Sequence, residues 1–158
     1  MIREQVDLVA LQELNATQDS TSMKILQTAL DKMDYHIWIN SEHKKDHQNT
    51  GPKKSGFGVA IIVKKCLKEG ATCSRQIDSL AITVTLLGLS KLPFTVASIY
   101  SPPGSEERNT KLRGNINRFL DSKIREQPTG TFLILADSNA IADPSLDSLS
   151  GHSNQQTN

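Results

Sequence analysis

Two apolar runs in the middle of the chain, Leu80 to Leu87 and Phe94 to Tyr100, constrain the fold more than any other feature of the sequence. The segment between them, residues 88–93, contains a glycine and a proline and is too short to hold a crossover helix. The two runs therefore have to pair antiparallel, as a hairpin. Any fold for this chain must contain a sheet that is at least partly antiparallel.

Further strands and two helices are predicted around this hairpin. Apolar runs indicate strands at residues 6–11, 35–39, 56–63 and 131–136. A helix is expected over residues 22–33, capped by Thr21 or Ser22, and its predicted apolar face is Ile25, Leu26, Ala29, Leu30 and Met33. A second helix should begin at Ser105 and end before Pro128, with an apolar face made of Leu112, Ile116, Phe119, Leu120 and Ile124. This order predicts an α/β or α+β fold, a mixed sheet with helices packed on its faces.

Composition bounds the class of protein. The 158 residues suit one domain, and the net charge of +1 provides no overall electrostatic attraction to nucleic acid. Cys66 and Cys73 have no metal or redox spacing, which is typical of a reducing compartment. The sequence contains no apolar run long enough to span a membrane and no signal-peptide pattern at its start. We therefore expect a soluble, intracellular protein with no membrane contact.

Polar side chains follow two of the predicted strands. Glu13 closes the first apolar run, and Asp137 and Asn139 follow the last one. Taken singly, each motif is typical of a turn or a helix cap. Together, acidic groups at the ends of two strands are what a hard divalent cation and a phosphodiester require.

Four motifs in this chain order resemble the endonuclease/exonuclease/phosphatase superfamily, and within it most nearly the endonuclease domain of non-LTR (LINE-type) retrotransposons. They are Leu-Gln-Glu at 11–13, the glycine-entered strand at 55–60, Ile-Tyr-Ser-Pro-Pro at 99–103 and Leu-Ala-Asp-Ser-Asn-Ala at 135–140. The resemblance implies a four-layer α/β/β/α sandwich with mixed, largely antiparallel sheets, incomplete in this chain. Residues 1–143 would form this partial domain, and residues 144–158 a disordered tail.

The resemblance also implies a role for each site residue. Glu13 would bind Mg²⁺ or Mn²⁺, and Asp137 would orient or deprotonate the attacking water. Asn139 would donate its amide N–H to the phosphate, and Tyr100 would point its hydroxyl at the same phosphate. The implied reaction is divalent-metal-dependent phosphodiester hydrolysis, with DNA as the expected partner and a nuclear location if the protein is a retroelement endonuclease.

Departures from the family pattern leave the function open. The family usually has Gly-Asp-Phe-Asn where this chain has Ala136 to Asn139, and it carries an active-site Asn strand before the first motif and a Ser-Asp-His strand at its end. This chain has neither segment, and His152 is interpreted as a tail residue. The hypotheses are retroelement-type DNA nicking, a truncated non-catalytic remnant, and hydrolysis of a lipid or nucleotide phosphoester on the same fold.

Basic residues give a weaker indication. Lys53 and Lys54 belong to a lysine group around the glycine-entered strand that also includes Lys44, Lys45, Lys64 and Lys65. Such lysines can contact DNA phosphates without reading sequence, although a solvated loop explains them equally well. His43 and His47 have the spacing of a helical metal site, but we expect a polar loop over residues 40–55. No obligate protein partner is evident.

Overall fold

Seven strands and two α-helices make up the part of the chain that this computed structural model describes, residues 6–14, 19–41, 58–88, 91–102 and 107–139. A single 3₁₀ turn, Lys65–Leu67, follows the third strand. In chain order the elements are β1 (Leu8–Leu11), α1 (Thr21–Lys32), β2 (Tyr35–Ser41), β3 (Gly58–Lys64), β4 (Thr72–Arg75), β5 (Ala81–Leu86), β6 (Phe94–Tyr100), α2 (Glu107–Glu126) and β7 (Thr131–Asp137).

The strands form two sheets. The first sheet has the order β1-β3-β2 and is antiparallel throughout. The second sheet has the order β4-β5-β6-β7, and only its last pair, β6 with β7, is parallel. The predicted hairpin is confirmed, because Ala81 pairs with Ile99 and Leu86 with Phe94 in antiparallel register.

Apolar side chains hold four layers together. Between the sheets lie Val59, Ile61 and Val63 of β3, which belong to the same buried cluster as residues of β5 and β6. The helix α1 covers the outer face of the first sheet through a second cluster, and Ile116 of α2 belongs to the cluster of the second sheet. The fold class is α+β, with two sheets and two helices as expected.

The apolar face predicted for α1 was wrong in part. Ile25 and Met33 are 65 % and 58 % exposed, whereas Met23 and Leu30 are buried against the first sheet. Successive helical residues point about 100° apart, so Ile25 turns away when Leu26 packs inward. The helix is capped one residue earlier than predicted, by the Ser20 hydroxyl, which accepts a hydrogen bond from the Met23 N–H at 3.3 Å.

The loop predicted from residue 40 begins later. Asn40 is a buried residue of β2, and its Nδ2 donates to the carbonyl oxygens of Gln76 at 2.7 Å and Ala81 at 2.8 Å. These bonds join the end of β2 to the turn between β4 and β5, so the two sheets are linked at this end. Sequence reasoning missed β4, whose four residues are mostly polar.

Several sequence predictions fall outside the described residues. They are the rest of the lysine-rich loop with Lys53 and Lys54, the strand entry at Gly56 and Phe57, the start of the second helix at Ser105, and the tail from residue 144. No helix within the described ranges is both long enough and apolar enough to cross a membrane.

Candidate active site

The carboxyl ends of β1, β6 and β7 meet at one end of the sandwich. Gln12, the first residue after β1, donates from Nε2 to the Ser98 hydroxyl of β6 at 3.1 Å and to the Leu135 carbonyl of β7 at 3.3 Å. The Ser98 hydroxyl in turn donates to the Leu11 carbonyl at 3.0 Å. These three hydrogen bonds tie the end of β1, in one sheet, to two strands of the other.

Glu13 follows in an unusual backbone conformation. Its φ is +53°, in the left-handed region that non-glycine residues seldom adopt. The next residue, Leu14, donates its N–H to the Gly58 carbonyl at 2.8 Å, and a Cβ on Gly58 would lie 2.9 Å from the Leu14 carbonyl oxygen. Glycine at 58 therefore lets the chain after Glu13 pass close over β3. Hydrogen bonds on both sides hold Glu13 in its strained conformation.

Tyr100 lies beside Glu13 at the end of β6. Its ring is buried and its hydroxyl is hydrogen-bonded to the Glu13 side chain. Burial, this hydrogen bond, and the negative charges of Glu13 and Asp137 raise the pKa of Tyr100 from 10.0 to about 12. Tyr100 is consequently a protonated hydrogen-bond donor at neutral pH. Because both carboxylates act on one hydroxyl, Glu13 and Asp137 lie on the same side of the molecule.

Asp137 and Asn139 form a turn at the end of β7. Oδ1 of Asp137 accepts the Asn139 backbone N–H at 3.2 Å, and Asn139 has a φ of +45°. The Asn139 side-chain Nδ2 donates to the Ser101 carbonyl at 3.0 Å, and the Ser101 N–H donates to the Asp137 carbonyl at 2.8 Å. The turn therefore fixes the Asp137 carboxylate against the segment that follows Tyr100.

The structure brings together Glu13, Tyr100 and Asp137, with Asn139 next to them. Two details differ from the roles that the sequence suggested. The Tyr100 hydroxyl contacts Glu13, and the Asn139 amide donates one of its two N–H groups to a backbone carbonyl, so both groups are engaged within the protein. Their roles toward a substrate stay predictions.

The donor atoms suit a hard cation. Among the described residues no three His, Cys, Asp or Glu side chains form a group that could hold a metal ion alone. Mg²⁺ is commonly bound by one or two carboxylates and otherwise by water and substrate oxygens, whereas structural Zn²⁺ requires four protein ligands. The exposed Glu13 carboxylate, joined by water and substrate oxygens, therefore has donor atoms of the type that Mg²⁺ or Mn²⁺ takes.

Two lysines of the group expected near DNA lie elsewhere. Lys64 is the last residue of β3 and Lys65 follows it, at the far end of a strand roughly 20 Å long, whereas Gly58 at the near end contacts Leu14. Lys64 forms an ion pair with Asp7, and Lys65 one with Asp31 at 2.6 Å. These two lysines do not belong to the candidate site.

Sequence reasoning did not identify Gln12 or Ser98 as site residues. One signal was available, because Ser98 is a small polar residue in a mostly apolar strand and is fully buried. A buried hydroxyl needs a hydrogen-bond partner. Gln12 was a candidate, because it belongs to the Leu-Gln-Glu motif at the end of the first predicted strand.

Comparisons with known proteins identify a fold. No protein-family model matches the chain, and no curated protein matches it. Among solved structures, the human Nocturnin catalytic domain with bound sulfate anion matches with a TM-score of 0.56 at 16 % identity, over 88 % of this chain and 52 % of that one. TDP2 from Caenorhabditis elegans matches with a TM-score of 0.46 at 15 % identity, over 85 % of this chain and 38 % of that one.

The Nocturnin match carries the comparison. At 16 % identity the likeness is one of fold alone, and it agrees with the sandwich that the sequence motifs predict. This chain spans about half the length of the Nocturnin chain that it matches. The closer resemblance to retrotransposon endonucleases stays a prediction.

Proposed function

We propose that this chain is part of a divalent-cation-dependent phosphodiester hydrolase, with its reacting groups at the meeting point of β1, β6 and β7. The observation that carries the proposal is the convergence of Glu13, Tyr100 and Asp137, which are distant in sequence and act on one another through the Tyr100 hydroxyl. The likeness in fold to the Nocturnin catalytic domain supports it.

Each of the three side chains has a part in the proposed reaction. Glu13 binds the cation, which when present stabilises the negative charge that develops on the phosphate and the leaving oxygen. Asp137 orients the attacking water and accepts its proton. The hydrogen bond from the Asn139 N–H to Oδ1 fixes the carboxylate, so Oδ2 is the atom that we expect to face the water.

Tyr100 donates a hydrogen bond without losing its proton. Its pKa of about 12 keeps the phenol neutral at physiological pH. A neutral donor beside a cation ligand can shift its O–H from Glu13 to a phosphate oxygen as charge builds up there. This exchange reconciles the hydrogen bond in the structure with the role that the sequence suggests.

DNA is the substrate that we propose, nicked in a reaction of the retroelement type with Mg²⁺ or Mn²⁺. A retroelement endonuclease would act in the nucleus. This choice rests on the sequence motifs, since a likeness in fold does not decide between phosphoesters. A phosphodiesterase or phosphatase acting on a lipid or nucleotide ester is the competing enzyme hypothesis.

The test is relaxation of supercoiled plasmid by the purified chain, with and without Mg²⁺. Glu13→Gln and Asp137→Asn should each lower the nicking rate by about 100-fold or more. Glu69→Gln and Asp121→Asn are matched controls, because they make the same charge changes at exposed positions outside the site and should leave the rate unchanged. Equal rates in all five proteins would remove the proposed roles.

A non-catalytic remnant is the second candidate, and β7 provides the observation that favours it. Leu133 and Ile134, on opposite faces of this strand, are 39 % and 47 % exposed. A complete domain would be expected to cover such apolar side chains. The absence of turnover with plasmid, with a small phosphodiester and with a phospholipid headgroup ester, in Mg²⁺ and in Mn²⁺, would favour the remnant.

A further inference from the structure

One side chain, Gln12, connects three strands that belong to two sheets. Its Nε2 reaches the Ser98 hydroxyl and the Leu135 carbonyl, while the Ser98 hydroxyl returns to the carbonyl of Leu11. Both hydrogens of the amide nitrogen are thus used, and the bonds close a ring between the end of β1 and the neighbouring pair β6 and β7. We call this set of three hydrogen bonds the Gln12 clamp.

The clamp adjoins a strained part of the backbone. Glu13 has a φ of +53°, a conformation that costs on the order of 1–3 kcal/mol and persists only where its surroundings impose it. The clamp fixes the residue before Glu13, and the Leu14 N–H bond to Gly58 fixes the residue after it. Without the clamp, Glu13 can relax toward an ordinary conformation, which would redirect its carboxylate.

The clamp also sets the position of Asp137 relative to Glu13. Leu135 lies two residues before Asp137, on the same face of β7, and Ser98 lies two residues before Tyr100 in β6. The residues of the clamp therefore lie one or two positions before Glu13, Tyr100 and Asp137 along their strands. A shift between the sheets at this level changes the separation of the two carboxylates directly.

We propose that Gln12 is a positioning residue that presents the Glu13 carboxylate to a divalent cation by locking the end of β1 onto β6 and β7. The inference rests on the proposed function, because it takes Glu13 as the cation ligand. Gln12 itself touches neither the cation nor the substrate. Groups that orient a metal ligand typically change metal affinity by about 10- to 100-fold when removed.

Binding of Mn²⁺ alone, followed by the relaxation rate of water protons, tests the proposal without turnover. Gln12→Ala should weaken Mn²⁺ binding by roughly 10-fold. Ser98→Ala removes the partner hydroxyl and should weaken it to a similar extent, and the double variant should bind no more weakly than the weaker single variant, because one clamp is lost in all three. Gln12→Met, which keeps the length of the side chain without its donor, serves if the alanine variant does not fold.

Gln127→Ala is the matched control. Gln127 makes an equivalent side-chain network with Thr85 and Thr95, at the opposite end of the same sheet. It should lower the melting temperature as a loss of buried hydrogen bonds does, yet leave Mn²⁺ binding at the wild-type value. A structural role for Gln12 would instead make the two glutamine variants behave alike.

The outcomes separate this inference from the proposed function. Wild-type Mn²⁺ affinity in Gln12→Ala and Ser98→Ala would overturn the inference, even if plasmid nicking depends on Glu13. Weakened binding in both variants, with no turnover by the wild-type chain, would support the inference and contradict the hydrolase. A wild-type chain that does not bind Mn²⁺ would overturn both.

Discussion

The pKa of Tyr100 reports the convergence of the two carboxylates, and replacing Glu13 should lower it. Burial is the largest cause of the increase from 10.0 to about 12, followed by the hydrogen bond and the charge of Glu13 and then by the charge of Asp137. Glu13→Gln keeps an oxygen acceptor but removes the nearer charge. The pKa of Tyr100 should therefore fall below about 12 but stay above its ordinary value of 10.0, because burial and Asp137 still act.

The measurement is possible because the chain has two tyrosines. In a Tyr35→Phe background, the near-ultraviolet absorbance of tyrosinate follows Tyr100 alone as the pH is raised. Circular dichroism at each pH limits the titration to the range in which the protein is folded. Asp137→Asn, measured in the same background, should lower the pKa of Tyr100 by less than Glu13→Gln does.

Two results would refute this reasoning. An unchanged pKa in Glu13→Gln would show that the carboxylate does not contact the hydroxyl, and a larger change in Asp137→Asn would reverse the order of the two groups.

The same perturbation has a consequence for stability. The folded state holds the Tyr100 proton more tightly than the unfolded state, so stability should decrease as the pH rises from 10 to about 12, and Glu13→Gln should narrow that window.

Three further predictions concern stability. Gly58→Ala should lower the free energy of unfolding in urea by about 1–3 kcal/mol, because its Cβ would lie 2.8 Å from the Ser41 Cβ and 2.9 Å from the Leu14 carbonyl oxygen. Gly114→Ala, at a helical position with open space around it, should raise the free energy of unfolding by up to about 1 kcal/mol. Asn40→Ala removes two buried hydrogen bonds between the sheets and should lower the free energy of unfolding by about 1–3 kcal/mol in the same assay. The exposed Asn117→Ala should cost far less, and equal losses would contradict the cross-sheet role. Burial, followed by the charges of nearby lysines, lowers the pKa of His36, so the melting temperature should fall as the pH drops from about 7 to 5. His36→Gln should reduce this dependence of the melting temperature on pH. An unchanged dependence would show that protonation of His36 is not coupled to folding.

The sequence predicted the layers well because each strand of the hairpin is long, apolar and bounded by turn residues. The short connection at 88–93 required the antiparallel pairing that the structure has. The face of α1 was harder, because its apolar residues form an arc wider than the face that packs on the sheet, and only contact with the sheet decides which of them is buried. The polar strand β4 lacked an apolar pattern altogether, since it lies at the edge of its sheet.

The site was predictable as a set of residue types, less so as a set of contacts. Glu13, Tyr100 and Asp137 could be grouped from their motifs, since each motif closes a strand. Which group donates to which depends on registers fixed by distant pairs, such as Tyr100 beside Asp137 in the parallel pair of β6 and β7. The Gln12 clamp was missed for the same reason, because its partners lie 86 and 123 residues away.

This separation affects how the protein is made. β1 leaves the ribosome well before β7, because Leu135, the partner of Gln12, follows 123 residues later. At a synthesis rate of about 5–20 residues per second, the first strand waits roughly 6 to 25 seconds for the last. During that time its apolar side chains are available to chaperones or to other nascent chains, so yield in the cell should respond to translation speed and to chaperone supply.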